Sequence, residues 1–133
     1  MKEELLIDTL KDYCNIASKI YLYCSNENNT RYVNFAFQIN GKNFKKNEAD
    51  KLLGLSIESS ITKQKKYLDI LQTQFEQLIS DYYKENNKTI SELKIIFDIK
   101  TNTNSVSINT ENVYAGSNVF TTTIFDSWFN SQK

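Results

Sequence analysis

Two cysteines (Cys14 and Cys24), a scatter of carboxylates, and lysines crowded between Lys42 and Lys66 are the groups with which this chain could do chemistry. There is no histidine, the side chain that titrates near neutral pH without help. A cysteine nucleophile would then lack its usual base. A zinc site would lack the further nitrogen or sulfur ligands it needs. General acid/base work by carboxylates requires two of them at a fixed spacing. Glu3 and Glu4 are adjacent and diverge around a helix, while Glu76 and Asp81 do not share a helix face well. Asn26 to Asn29 offers oxygens for calcium but no central glycine. Gly41, Gly54 and Gly116 are too scattered to form a phosphate-cradling loop. The expectation is no catalytic residue, no metal and no cofactor: a protein that works by presenting a surface and is not an enzyme.

Two groups of side chains could form that surface. Lys42, Lys45, Lys46, Lys51, Lys63, Lys65 and Lys66 face only Glu48, Asp50 and Glu58 in the same stretch, so the middle third is locally basic. Such a run is either solvated charge beside a loop or an electrostatic docking patch for an acidic partner. The second group is aromatic. Tyr21, Tyr23 and Tyr32 are predicted on the sheet face away from the helices, and Tyr114, Phe120, Trp128 and Phe129 lie late in the chain. Tyr and Trp are favoured interface anchors because they bury a large area behind a polar tip. The partner-binding candidates are therefore Tyr21, Tyr23, Tyr32, Lys45, Lys46 and Trp128.

Composition narrows the partner. Sixteen basic and sixteen acidic residues give a net charge of zero, and Arg31 is the only arginine. A nucleic-acid binder shows a basic excess and arginines for bidentate contacts, so nucleic acid is not expected. No apolar run approaches the length of a membrane span, and Glu3, Glu4 and Asp8 interrupt any signal-peptide pattern. A cytoplasmic protein with reduced cysteines is the expectation.

The elements that must position these residues follow from periodicity. Leu6, Leu10, Tyr13 and Ala17 predict a helix from Lys2 to about Ile16. Ile20 to Cys24 alternates as a strand, with a polar turn or loop at Ser25 to Thr30. Tyr32 to Ile39 is the clearest strand, and Asn40-Gly41 is a strong hairpin signal. A short return strand follows from Lys42, then a short helix or turn ending at Gly54. A long helix is predicted from about Ser59 to Lys84, with Ile61, Leu68, Leu71, Phe75, Leu78, Ile79 and Tyr82 on one stripe. Leu93 to Ile99 and Val106 to Ile108 form a second hairpin, and Glu111 to Asn118 a loop. Ile124, Phe125, Trp128 and Phe129 suggest a short C-terminal helix, with a strand over Val119 to Phe125 as the other reading. The order α-β-β-β-α-β-β-(α) in one domain over residues 1–133 reads as α+β: an antiparallel sheet packed by helices on one face.

That order, with Ile20-Tyr-Leu-Tyr23, Tyr32-Val-Asn-Phe-Ala-Phe37, Leu71-xxx-Phe75-xx-Leu78 and Leu93-Lys-Ile-Ile-Phe-Asp-Ile99, resembles the small bacterial immunity proteins of the YezG type. The resemblance implies a cytoplasmic antitoxin that binds a cognate toxin and blocks it, forming a heteromeric complex. The same order is similar to the class I chaperones of type III secretion, which implies instead a homodimer holding an extended effector segment. The neutral charge departs from the acidic surfaces of nuclease inhibitors and of those chaperones alike.

Overall fold

The computed structural model describes residues 4–27, 30–111 and 121–132. Tyr114 and Phe120, most of the predicted loop from Glu111, and the start of the alternative strand at Val119 lie outside the described residues. Helix α1 (Glu4–Thr9) leads through a 3-10 turn (Lys11–Asn15) into strands β1 (Lys19–Glu27), β2 (Thr30–Ile39) and β3 (Lys42–Lys45). Helices α2 (Lys46–Leu52) and α3 (Ile57–Asn86) follow, then β4 (Glu92–Asp98), β5 (Thr103–Asn109) and α4 (Thr121–Ser131). The strands form one five-stranded antiparallel sheet in the order β3-β2-β1-β4-β5, so the architecture is α+β.

The register explains the core. Ile20, Leu22 and Cys24 on β1 stand opposite Phe37, Phe35 and Val33 on β2, and opposite Phe97, Ile95 and Leu93 on β4. Because side chains alternate between the faces of a strand, this row forms one apolar surface. Against it pack Leu6, Ile7, Leu10 and Tyr13 from the N-terminal segment and Leu71, Phe75, Leu78 and Ile79 from α3. Asn40 (φ 50) and Gly41 (φ 78) both adopt left-handed backbone, the type I′ geometry that lets β2 return directly as β3.

Several boundaries differ from expectation: β1 runs on through Ser25 to Glu27 and β2 begins at Thr30, where a turn or loop was expected, and helix ends also move. The first helix breaks at Leu10, whose φ of −102 and ψ of 10 leave the helical region. Leu10 and Tyr13 then donate in the tighter i→i+3 pattern, Leu10 N–H to Ile7 O at 2.9 Å and Tyr13 N–H to Leu10 O at 3.0 Å. Helix α3 starts at Ile57 because the Ser56 side chain caps it, accepting from Ser59 N–H at 3.2 Å. It ends at Asn87, which takes a left-handed φ of 56. Its buried stripe contains Ser60 and not the expected Ile61, which is 60% exposed. Ser60 is drawn inward by Asp50, whose Oδ2 accepts its hydroxyl at 2.6 Å.

The largest consequence for function comes from the tail. It is helical, and α4 lies on the second face of β1 and β2, where Tyr21, Tyr23 and Ala36 pack with Ile124, Phe125 and Phe129. Asn43 of β3 secures the end of this helix, donating to the carbonyls of Gln132 at 2.6 Å and Phe129 at 3.3 Å. The Phe129 carbonyl also accepts from Gln132 N–H at 3.1 Å, so Asn43 adds to the closing turn of the helix. Both cysteines are free; Cys24 is buried in the core and Cys14 packs at its edge. Among the described residues, no helix is long and apolar enough to cross a membrane.

Candidate functional site

The placement of α4 corrects the expected open tyrosine face. Tyr21 and Tyr23 are 1% and 0% exposed, so neither side chain is presented to a partner in the folded chain. Their rings pack against the aromatic rings of α4: Tyr21 lies 5.6 Å from Phe129 and 6.1 Å from Trp128, and Tyr23 lies 6.1 Å from Phe125. Their hydroxyls are also occupied. Tyr23 donates to Glu92 Oε2 at 2.7 Å, and Tyr21 reaches Asn43 Oδ1 at 3.4 Å. Burial pushes the Tyr21 phenol above its ordinary value.

The other candidates surround this buried pair. Tyr32, Lys45 and Lys46 line one cleft of about 220 Å³ together with Asn34, Phe35, Asn47, Phe125 and Asp126. Strand β2 supplies Tyr32 and Asn34, the β3–α2 junction supplies the lysines, and α4 supplies Phe125 and Asp126. The junction is sharp because the Lys45 N–H is taken up by Glu48 Oε1 at 2.9 Å, which ends the strand and starts the helix. Trp128 sits beside the cleft, 6.5 Å from Phe125 and 6.1 Å from both Tyr21 and Tyr23, with Lys94 Nζ 5.9 Å above its ring.

Asn34 organises the floor. Its Nδ2 donates to the Tyr32 hydroxyl at 2.9 Å, and its Oδ1 accepts from Lys46 Nζ at 2.8 Å. Burial, reinforced by the neighbouring Lys45 charge, lowers the pKa of Lys46 from its ordinary value, although the more distant Asp126 and Asp50 act the other way. Burial likewise raises that of Tyr32, keeping it neutral. Lys45 is half exposed and reaches Asp126 Oδ1 at 3.8 Å. Asn34, Phe125 and Asp126 were missed in the sequence reading. The usable signal was Asn34, a polar residue between Val33 and Phe35 in the apolar middle of β2; nothing local could announce that Asp126 returns to β3.

A second polar cluster is built around Asp50, further along α2. Asp50 is fully buried, accepting from Tyr13 Oη at 2.7 Å, Ser60 Oγ at 2.6 Å and Gln64 Nε2 at 3.1 Å. Lys63 lies 2.8 Å from Asp12 Oδ2 and 3.9 Å from Asp50 Oδ1, and 4.2 Å from the centre of the Tyr13 ring. Tyr67 donates to Asp12 at 2.9 Å, and burial and that bond push its phenol up to about 12. This cluster ties the 3-10 turn, α2 and α3 together, and it removes Lys63 from the surface basic patch. Among the described residues no group of three His, Cys, Asp or Glu side chains could hold a metal ion.

The chain matches no protein-family model, and no curated protein matches its sequence.

Proposed function

We propose that this is a binding protein: a cytoplasmic immunity protein that neutralises a cognate bacterial toxin by occluding its working surface. Catalysis, nucleic acid and membrane have no part in this reading. The observation that carries it is the convergence of Tyr32, Lys45 and Lys46 on one cleft. Trp128 packs beside them on α4. Aromatic area ringed by charge is the composition of a tight interface, with energy concentrated in a few anchors. The test is co-expression with a toxin encoded by a neighbouring gene, with survival as readout. Wild type should protect. Lys45→Glu with Lys46→Glu should abolish protection while the variant still melts cooperatively above the assay temperature. Undiminished protection by that variant would move the interface elsewhere, and no protection by the wild type would end the immunity reading.

One observation favours the chaperone reading. Ile57 and Ile61 lie one turn apart on α3 and are 74% and 60% exposed, with Leu52 exposed at the end of α2. An apolar helix face of this kind is what a homodimer would bury. Sedimentation of wild type against Ile57→Glu with Ile61→Glu decides it: a dimer lost in the variant supports the chaperone, and a wild-type monomer removes it.

A further inference from the structure

The lysines of this chain are not treated alike. Among the described residues, Lys45, Lys63 and Lys94 each have a carboxylate within 4.0 Å. Lys46, whose ammonium is pressed into the cleft, has no carboxylate at that distance; it is held by the neutral Asn34 amide, with the Phe35 ring centre 6.0 Å from its Nζ. A partly desolvated charge without a counter-ion is unfavourable, and its one bond to Asn34 leaves two of its three N–H groups to be directed elsewhere. The Tyr32 hydroxyl accepts from Asn34 Nδ2, so its own proton remains available to donate. Phe35 and Phe125 wall the same space.

We infer that this cleft is a receptor for a single carboxylate side chain, an aspartate or glutamate of the partner protein, with Lys46 as its counter-ion and Tyr32 as a second donor. The inference rests on the binding-protein reading and names the partner chemistry of that site. Size supports one side chain: the cleft of about 220 Å³ is below the roughly 300–1,000 Å³ of sites that enclose whole small molecules. Charge supports an anion. Lys45 and Lys46 against Asp126 leave the lining net positive by one, and Asp126 is already directed to Lys45. The burial that lowers the Lys46 pKa would be opposed by an entering carboxylate, so occupancy should shift it back upward.

The probe is acetyl-glutamyl amide, titrated into the isotopically labelled full chain by NMR, with acetyl-glutaminyl amide as its neutral match. A lone side chain should bind weakly, with Kd on the order of 1–10 mM, and shift the resonances of Tyr32, Asn34 and Lys46 saturably. The neutral probe should bind at least about tenfold more weakly, a difference of about 1.4 kcal/mol. Lys46→Gln, checked for an unchanged melt, should reduce the acidic probe to the level of the neutral one. Equal response to both probes, a response to inorganic phosphate in preference, or an unchanged response in Lys46→Gln overturns the inference. The toxin assay separates the two ideas. If wild type and Lys46→Gln protect cells equally, the carboxylate receptor is refuted and the immunity reading survives. If the acidic probe behaves as expected but the wild type does not protect, the receptor is supported and the immunity reading fails.

Discussion

The buried Asp50 cluster gives the sharpest quantitative expectation. Asp50→Ala removes the acceptor for Tyr13, Ser60 and Gln64 at once. Ser60 Oγ still accepts from Gln64 Nε2 at 2.9 Å, and Lys63 keeps Asp12 at 2.8 Å. The Tyr13 hydroxyl has no such reserve. Its ring is fully buried, stacked 4.3 Å from Phe37, and cannot turn the hydroxyl to water. Stranding one buried hydroxyl costs about 1–3 kcal/mol. Hydrogen bonds to a charged acceptor contribute about 1.5–3 kcal/mol each, and those of Ser60 and Gln64 are lost as well. We expect Asp50→Ala to destabilise by about 3–5 kcal/mol, lowering Tm by roughly 10–20 °C for a chain of this size. Tyr13→Phe removes only the donor and should cost about 1–2 kcal/mol. The double variant should cost less than the sum, with a coupling of about 1–3 kcal/mol in a urea-unfolding cycle. Additive costs, or a loss below about 1 kcal/mol in Asp50→Ala, would show that the cluster is tolerated by the fold and does not hold α2 and α3 to the N-terminal segment.

Other consequences follow from the same geometry. Tyr23→Ala should cost about 3–5 kcal/mol in chemical denaturation, because it empties a fully buried aromatic site and removes the donor to Glu92; a variant of wild-type stability would contradict the seat of α4. Ser56→Ala should cost about 1 kcal/mol by loss of the α3 cap, read in the same assay. Tyr67 has a folded pKa raised above that of a free phenol, so its contribution to stability is full below pH 10 and is lost as pH rises towards 12. Absorbance of tyrosinate should show a phenol titrating near 12 that disappears in Tyr67→Phe, and the melting temperature should fall across that window.

The elements legible in the sequence were those whose signal is local. Val33, Phe35 and Phe37 alternate in β2, Asn40-Gly41 dictates the turn, and Leu71 to Ile79 repeats at helical spacing; each appears where periodicity places it. The break at Leu10 was not legible, because Leu6, Leu10 and Tyr13 satisfy a continuous helix equally well. What decides it is the distant Asp50, which takes up the Tyr13 hydroxyl. The exchange of Ile61 for Ser60 on the buried side of α3 has the same origin. In both places a polar bond to Asp50 overrides an apolar pattern, and for Tyr13 that partner lies 37 residues away.

The candidate site was half legible for a related reason. Tyr21 and Tyr23 were placed on an open face because the two long helices could cover only one side of the sheet. Strand β1 itself argues otherwise. From Ile20 to Cys24 neither of its two rows contains a charged residue, and such a two-sided apolar strand needs cover on both faces. Edge strand β5 shows the contrast: its Ser105, Ser107 and Asn109 are exposed on the face that α4 leaves open. The cover for β1 had to come from an apolar element not yet used, and Ile124, Phe125 and Phe129 are such an element. Once α4 occupies that face, the two tyrosines become the foundation of the surface. The groups left for the proposed interface are those at its rim, where Tyr32, Lys45 and Lys46 meet α4 and the Lys46 ammonium has no carboxylate within 4.0 Å among the described residues.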